Sequence, residues 1–497
     1  MRIIDAWNGD VGQVINAVEI GDKKFVGVTS DSREVKPGFL FVALPGSQVD
    51  GRTFINDAMA RGAIAVLAPK GTNPGLTNNN VPLITDINPR HRYSMIAAQF
   101  YKTQPRFVVA VTGTNGKTSV VGFVRQILGN LGHKSASAGT LGVEISGFVA
   151  DTEPELKAKF NLTTPDSVDL HRSLSELESY GINHLALEAS SHGLDQCRLD
   201  GIKISAAAFT NLSRDHLDYH LTVEGYLEAK LRLFSELVVD GGVAVINADD
   251  KYANDFCSTA QARGFKLLSY GSHGHDIRLI KLQPEHDGQL IKIEVLGIEY
   301  NLKLPLIGDF QVFNAMCALG LVIGLGKNVQ NSISQLSNLK GVSGRMEHVG
   351  THPNSAAIFI DYAHTPDALE NILNALRSHT KTHLHIVFGC GGDRDCGKRF
   401  EMGEVASRLA DRVTVTDDNP RSEDPSLIRS AVLKGCPSAV EIGDRKLAIM
   451  KAIEGLKAGD ILVLAGKGHE TNQIINNRTL PFDDRETATE IIHGLSA

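Results

Sequence analysis

The stretch "VAVTGTNGKTSV", residues 109–120, reads as the end of an apolar strand, a glycine-bearing turn and the first residues of a helix. Backbone N–H groups at the start of such a helix bind anions. A standard phosphate loop spells Gly, four residues, then Gly-Lys-Ser/Thr. Here Gly116, Lys117 and Thr118 supply the end, but Val111 stands where the first glycine belongs and Gly113 follows two residues later. Gly113, Thr114, Asn115, Gly116, Lys117, Thr118 and Ser119 are therefore candidates to hold a nucleoside triphosphate. Lys117 would reach the β- and γ-phosphates, and the hydroxyl of Thr118 or Ser119 would ligate Mg²⁺. The loop alone does not say what the triphosphate is used for.

The same grammar continues outward. "FVVAV" predicts a buried strand, and 117–131 a helix ending near Gly132. "HLALEAS" (184–190), "AAAFT" (206–210) and "GVAVIN" (242–247) are further strand candidates. Apolar runs separated by helices point to a mostly parallel sheet. "GVSGR", 341–345, reads as a hinge, and after it the pattern starts again with "AIFIDYA", "LHIVFGCGG", "RVTVTDD" and "ILVLAGKG". Each of these ends in a polar, glycine-rich or acidic loop, at the sheet edge where open α/β folds place their ligands. Upstream, "FLFVAL" and "AIAVLA" read as strands, 54–62 as helix, "PKGTNPGLTNNN" (69–80) as a surface loop and "YKTQPR" (101–106) as a linker. The expectation is an α/β protein of three domains. A small α/β domain covers 1–105. A central P-loop ATPase-type domain with a mostly parallel sheet covers 106–342. A Rossmann-like C-terminal domain covers 343–497.

Size and composition agree. A chain of 497 residues is too long for one core and suits about three domains at roughly 150 residues each. The net charge of −7 argues against a binder of nucleic acid held by phosphate contacts. The N-terminal residues carry no apolar signal-peptide core, and no apolar run approaches the ~20 residues of a membrane span. Six scattered cysteines form no Cys-x-x-Cys pair, which excludes the usual zinc and disulfide frameworks and points to a reduced, cytoplasmic enzyme.

Other residues carry chemistry by position. Glu188 ends an apolar strand, where a carboxylate is unfavourable unless paired or metal-bound, and a carboxylate at a strand's C-terminal end beside a phosphate loop suits Mg²⁺. His216 lies in the loop "TNLSRDHLDYH" that follows a strand. Lys230, in "TVEGYLEAKLRLFSEL", reads on periodicity alone as a solvated lysine of an amphipathic helix. Asp361 ends a strand, and "DRDCGKR" and "DDNPR" each set an arginine beside carboxylates. Arginine grips a carboxylate with a planar, two-bond fork. Cys396 beside these arginines reads as a filler.

In order along the chain, "TSDSREVKPGFLFVALPG", "GTNGKT", "EASSHGLDQ", "NLSRDHLDYH", "EAKLRLF", "GRME", "DYAHTP", "GCGGDRD", "DDNPRSEDP" and "GKGHE" resemble the Mur ligases of bacterial peptidoglycan synthesis. The resemblance is nearest to the branch that adds meso-2,6-diaminopimelate to the D-Glu of UDP-N-acetylmuramoyl-L-alanyl-D-glutamate. It implies an ATP-dependent amide ligase working through an acyl phosphate, cytoplasmic and monomeric, with ATP, the UDP-muramoyl-dipeptide and diaminopimelate as substrates. It implies that Thr118 or Ser119 and Glu188 ligate one Mg²⁺, and that His216 and Lys230 serve a second metal site, with Lys230 carbamylated by CO₂. Asn314, Arg345 and Asp361 would contact the nucleotide. Ser32, Ser47 and Gln48 match positions for the uridine end, and Thr163, Thr164, Ser190, Gln196 and Arg198 match positions for the muramoyl-dipeptide. Arg394, Asp418, Asn419, Pro420, Arg421, Gly466 and Glu470 would form the diaminopimelate pocket, with Arg421 on the far carboxylate. Leu162 breaks the family pattern next to Asn161, which is left out of the binding set. A lysine-adding ligase of the same family and a non-catalytic sensor of UDP-muramoyl-peptides remain the alternatives. Arg421 speaks against the first, and the joint presence of Lys117, Glu188, His216 and Lys230 against the second.

Overall fold

The structure, a computed structural model, describes residues 1–7, 13–15, 23–46, 49–73, 81–149, 153–154, 156, 162–285, 288–476 and 478–496. Three main sheets follow one another along the chain, with five, ten and six strands, and a two-stranded hairpin lies near the C-terminus.

The strand Phe107–Thr112 sits inside the ten-stranded sheet, parallel to Ile204–Phe209 on one side and His184–Glu188 on the other. Val109 and Val111 enter the core on one face, and Val108 and Ala110 the core on the other. With both faces covered, the run is apolar throughout instead of alternating. The helix Lys117–Asn130 turns Val120, Phe123, Val124 and Ile127 onto the first face, where Ala315, Met316 and Leu319 of the helix Asp309–Gly324 join them. Each fully buried side chain of this size contributes roughly 1.5–3 kcal/mol.

The sheet is mostly parallel, as expected, and its edges are antiparallel. Ile277–Glu285, Gly288–Val295 and Ile298–Leu304 extend it as an antiparallel meander, and Gly142–Ser146 closes the other edge antiparallel to Ser135–Gly139. The meander exposes Ile280, Leu290 and Ile298 and buries Ile291, Ile293 and Val295. That half-buried alternation is weaker in sequence than the apolar runs of the sheet's centre.

In the third sheet, Ala357–Asp361, Ile461–Ala465, Leu384–Phe388, Arg412–Val415 and Val440–Glu441 run parallel, and Glu347–Thr351 pairs antiparallel at one edge. Four of the parallel strands are those read from sequence. The segment 341–345 is anchored rather than loose, since Val342 is buried in the central core. In the N-terminal sheet, Phe39–Val42 and Ala65–Pro69 are the two anticipated strands. Residues 74–80 of the anticipated loop lie outside the described residues.

Candidate functional site

The carboxyl ends of Phe107–Thr112, His184–Glu188 and Ile204–Phe209 open together into a cleft of about 650 Å³. Thr114, Asn115, Gly116, Lys117, Thr118, Ser119, Glu188, His216, Asn314, Arg345 and Asp361 line it, so the structure brings these sequence-predicted residues together. The loop from Gly113 to Gly116 needs its glycines. Gly113 has φ 149° and Gly116 φ 88°. A Cβ on Gly113 would lie 1.9 Å from Thr210 Oγ1, and one on Gly116 would lie 2.5 Å from Asn314 Oδ1. Gly113→Ala is expected to destabilise the protein by at least ~2 kcal/mol. Denaturant unfolding measures this directly; a change within about 0.5 kcal/mol would mean that the loop relaxes without cost.

Two lysines converge on one carbonyl. Lys117 Nζ donates to Gly113 O at 2.8 Å and to Thr114 O at 2.9 Å. Lys230 Nζ donates to the same Gly113 O at 3.0 Å and lies 4.2 Å from the centroid of the Tyr226 ring. Lys230 is 1 % exposed, which corrects the reading of it as a solvated helix lysine. Its helix, Val223–Arg232, packs that face inward against the phosphate loop. Burial first, then the charge of Lys117, hold the Lys230 amine well below the ordinary ammonium range, although Asp215 opposes them. Burial also lowers Lys117, against the pull of Glu188 and Asp215.

Glu188 is 1 % exposed. Its carboxylate accepts from Thr140 N at 2.8 Å and Thr140 Oγ1 at 3.2 Å. The hydroxyls of Thr118 and Ser119 are buried nearby in the same cleft. Among the described residues, no group of three or more His, Cys, Asp or Glu side chains is arranged to hold a metal ion. Two hydroxyls and one carboxylate fit a hard cation that completes its shell with phosphate oxygens and water. His216 stands at the mouth of the cleft, its ring edge-on to His192 with centroids 4.8 Å apart. Desolvation, with the nearby cations and against the pull of Asp215, pushes His216 down to about 4, so its imidazole is neutral at neutral pH.

The third sheet closes the cleft from above. Arg345 Nη2 donates to Thr118 Oγ1 at 3.1 Å, and its guanidinium lies 4.5 Å from the Tyr362 ring. Asp361 accepts from Met346 N at 2.6 Å and Ala363 N at 2.8 Å, and burial raises its carboxyl above the usual range. Asp367, which the sequence reading did not single out, accepts from both Asn115 Nδ2 and Ser213 Oγ at 3.0 Å.

Beside Glu188 lies a polar patch. Thr163 Oγ1 is 3.0 Å from Thr140 Oγ1, and Thr164 Oγ1 donates to Glu188 O at 3.0 Å and accepts from Ser190 N at 3.0 Å. Arg198 donates to Thr164 O and to Gln196 Oε1, both at 2.7 Å. Thr163, Thr164, Ser190, Gln196 and Arg198 therefore form one connected group. Ser32 sits apart in the N-terminal domain and does not line the cleft; two residues earlier, Ser30 Oγ donates to Asp166 Oδ2 at 3.5 Å. Ser47, Gln48 and Asn161 lie outside the described residues.

The remaining candidates gather in a second cluster at the carboxyl edge of the third sheet, outside the phosphate cleft. Asn419 Nδ2 donates to Glu470 Oε2 at 2.8 Å, and Asn419 N donates to Asp418 Oδ1 at 2.7 Å. Gly466, with φ 108°, faces Asp418. Pro420 leads into Arg421, whose Nη1 donates to Gly392 O at 2.8 Å. Among the described residues the Arg421 guanidinium pairs with no carboxylate. Arg394 is exposed at the rim. Tyr362 links the two clusters: it lines the cleft, and its ring stacks at an angle on His469, 5.3 Å away. Sequence reading missed Lys467, buried at the centre of the second cluster, and Asp215 in the cleft. The signals were available, since Lys467 lies inside "GKGHE" and Asp215 precedes His216.

The chain matches the Mur ligase family, catalytic domain, over residues 24–101, the Mur ligase middle domain over 111–322, and the Mur ligase, glutamate ligase domain over 344–468. It is 50% identical over 495 residues (98% of each chain) to the UDP-N-acetylmuramoyl-L-alanyl-D-glutamate–2,6-diaminopimelate ligase of Bradyrhizobium diazoefficiens. It is 48% identical over 476 residues (96% of this chain, 97% of the relative) to the protein of the same name from Caulobacter vibrioides. A solved structure of a ligase of that name superposes with a TM-score of 0.66 and 35% identity, covering 95% of this chain and 96% of its own. With three family models matched in order along the chain and near-full-length identity of this level, the chain belongs to the Mur ligase family.

Proposed function

We propose that this protein joins meso-2,6-diaminopimelate to the D-Glu carboxylate of UDP-N-acetylmuramoyl-L-alanyl-D-glutamate, converting ATP to ADP and phosphate. The observation that carries this reading is the 48–50% identity, over nearly the whole chain, to relatives of that name. In the first step a carboxylate oxygen attacks the γ-phosphorus and ADP leaves, giving an acyl phosphate. In the second the amine of diaminopimelate attacks the acyl carbon, losing a proton, and phosphate leaves with the bonding pair.

The roles follow the two clusters. The loop Gly113–Ser119 holds the triphosphate, with Lys117 turning from the Gly113 and Thr114 carbonyls to the phosphates. Asn314, Arg345 and Asp361 contact the nucleotide. Thr118, Ser119 and Glu188 would hold one Mg²⁺, and His216 with a carbamylated Lys230 a second. Mg²⁺ bound there screens the charge between carboxylate and triphosphate. Thr163, Thr164, Ser190, Gln196 and Arg198 orient the muramoyl-dipeptide, and Ser32, Ser47 and Gln48 the uridine end. Arg394, Asp418, Asn419, Pro420, Arg421, Gly466 and Glu470 receive diaminopimelate. The contacts of Asp367 and Arg345 with the phosphate loop support closure of the third domain over the cleft, which keeps water from the acyl phosphate. The domain limits go with this reading: 1–105 for the uridine end, 106–342 for ATP and 343–497 for the amino acid. The setting is a cytoplasmic monomer; no helix among the described residues is long and apolar enough to cross a membrane.

The test is amide formation by the purified protein with ATP, Mg²⁺ and the UDP-muramoyl-dipeptide, offered meso-diaminopimelate and L-lysine in parallel, with product identified by mass. Product with diaminopimelate alone is expected. Product with lysine alone would keep the family and overturn the role of Arg421.

A further inference from the structure

Lys467 has its whole side chain out of water, and no step of the proposed reaction uses it. It follows Gly466 at the carboxyl end of the strand Ile461–Ala465. A buried ammonium is unfavourable unless partners satisfy its charge and its protons. Lys467 Nζ donates to Asn472 O at 2.6 Å, to Glu470 Oε2 at 3.2 Å and to Asn419 Oδ1 at 3.4 Å. Three donations account for an ammonium's three protons.

The two side chains it holds are also held to each other, since Asn419 Nδ2 donates to that same Glu470 Oε2. Ile474 N donates to Asn419 Oδ1 at 2.9 Å. With two donors on one side, the Asn419 amide must face them with its oxygen and face Glu470 with its NH₂. Among the described residues both bonds to the Glu470 carboxylate reach Oε2, which leaves Oε1 for a ligand. Asn419 stands two residues before Arg421, so Lys467 joins the loop carrying the arginine fork to the loop carrying Glu470.

We infer that Lys467 is a positioning residue for amino-acid recognition: it fixes the Asn419 amide and the Glu470 carboxylate so that, with Arg421, they fit the far end of a diamino diacid, one ammonium beside one carboxylate. This rests on the diaminopimelate reading above. Glu470 supplies the negative charge for the ammonium, Arg421 the positive fork for the carboxylate, and Lys467 sets their relation without touching substrate.

The test is steady-state kinetics of the full-length Lys467→Met and Lys467→Gln variants, varying each of the three substrates in turn. For Lys467→Met, the KM for diaminopimelate is expected to rise by about tenfold to a hundredfold. The KM values for ATP and the UDP-muramoyl-dipeptide are expected to stay within about twofold. Lys467→Gln keeps a donor without the charge and should recover part of the loss. In a Glu470→Gln background the added loss from Lys467→Met should be smaller than in the wild type, because part of what Lys467 positions is already gone. An unchanged KM for diaminopimelate overturns the inference. So does an equal rise in all three KM values, or failure of both variants to fold, since either marks a structural lysine. Absence of product from the wild-type protein would instead overturn the functional reading, and the role of Lys467 with it.

Discussion

Lys230→Ala is expected to lower kcat by about 10²–10³-fold, and small carboxylic acids such as formate or acetate should restore part of the activity. The argument starts from burial. Lys230 Nζ is out of water, 3.0 Å from the Gly113 carbonyl, and its amine is held well below the ordinary range. A neutral amine is the form that attacks CO₂: its lone pair bonds the carbon, one proton leaves, and a carbamate anion remains. That would convert an amine beside Lys117 into a carboxylate-like ligand for a hard cation. In the alanine variant, a small carboxylate entering the vacated space supplies the missing anion. Labelled bicarbonate gives an independent readout, a carbamate carbon signal in the wild-type protein that Lys230→Ala lacks. Full activity of the variant would sink the carbamate role. A loss that no carboxylate restores, without the labelled signal in the wild type, would mean that the lysine acts as a plain amine.

Arg421→Ala should raise the KM for diaminopimelate by about 10²–10³-fold and leave the KM for ATP within about twofold. The guanidinium pairs with no carboxylate among the described residues, and its recorded bonds go to the Gly392 and Asn419 carbonyls. Its backbone is fixed independently of the side chain: Arg421 N donates to Ile474 O at 3.0 Å, and Asn476 N donates to Arg421 O at 2.6 Å. Arg421 has φ 51°, a conformation alanine adopts no less readily than arginine, so the substitution removes the fork and leaves the loop in place. The far carboxylate would then enter the site unpaired, whereas L-lysine has none to lose. The ratio of diaminopimelate to lysine turnover should therefore fall in step. Equal losses for ATP and diaminopimelate would point to a collapsed loop instead.

Much of the site was legible because its residues sit at strand ends. The parallel strand Phe107–Thr112 is apolar on both faces, and where it leaves the sheet the chain must turn, so Gly113 to Ser119 announce themselves by composition and order. Glu188, Asp361 and Asp418 were legible for the same reason: each follows an apolar run at the edge where parallel sheets bind ligands. The meander at 277–304 was not read, because half-buried strands alternate and their pattern competes with that of exposed loops.

The sequence by itself determined the three α/β units, the phosphate loop with its displaced first glycine, and the order of motifs that marks the family. Only the tertiary structure decided that Lys230 is buried on Gly113, that Asp367 reaches Asn115 and Ser213, and that Lys467 lies at the centre of the second cluster. Periodicity reports the faces of one element taken alone. Burial depends on what packs against that element, and here the partners come from far along the chain: Lys230 meets a carbonyl 117 residues away, and Asp367 an amide 252 residues away.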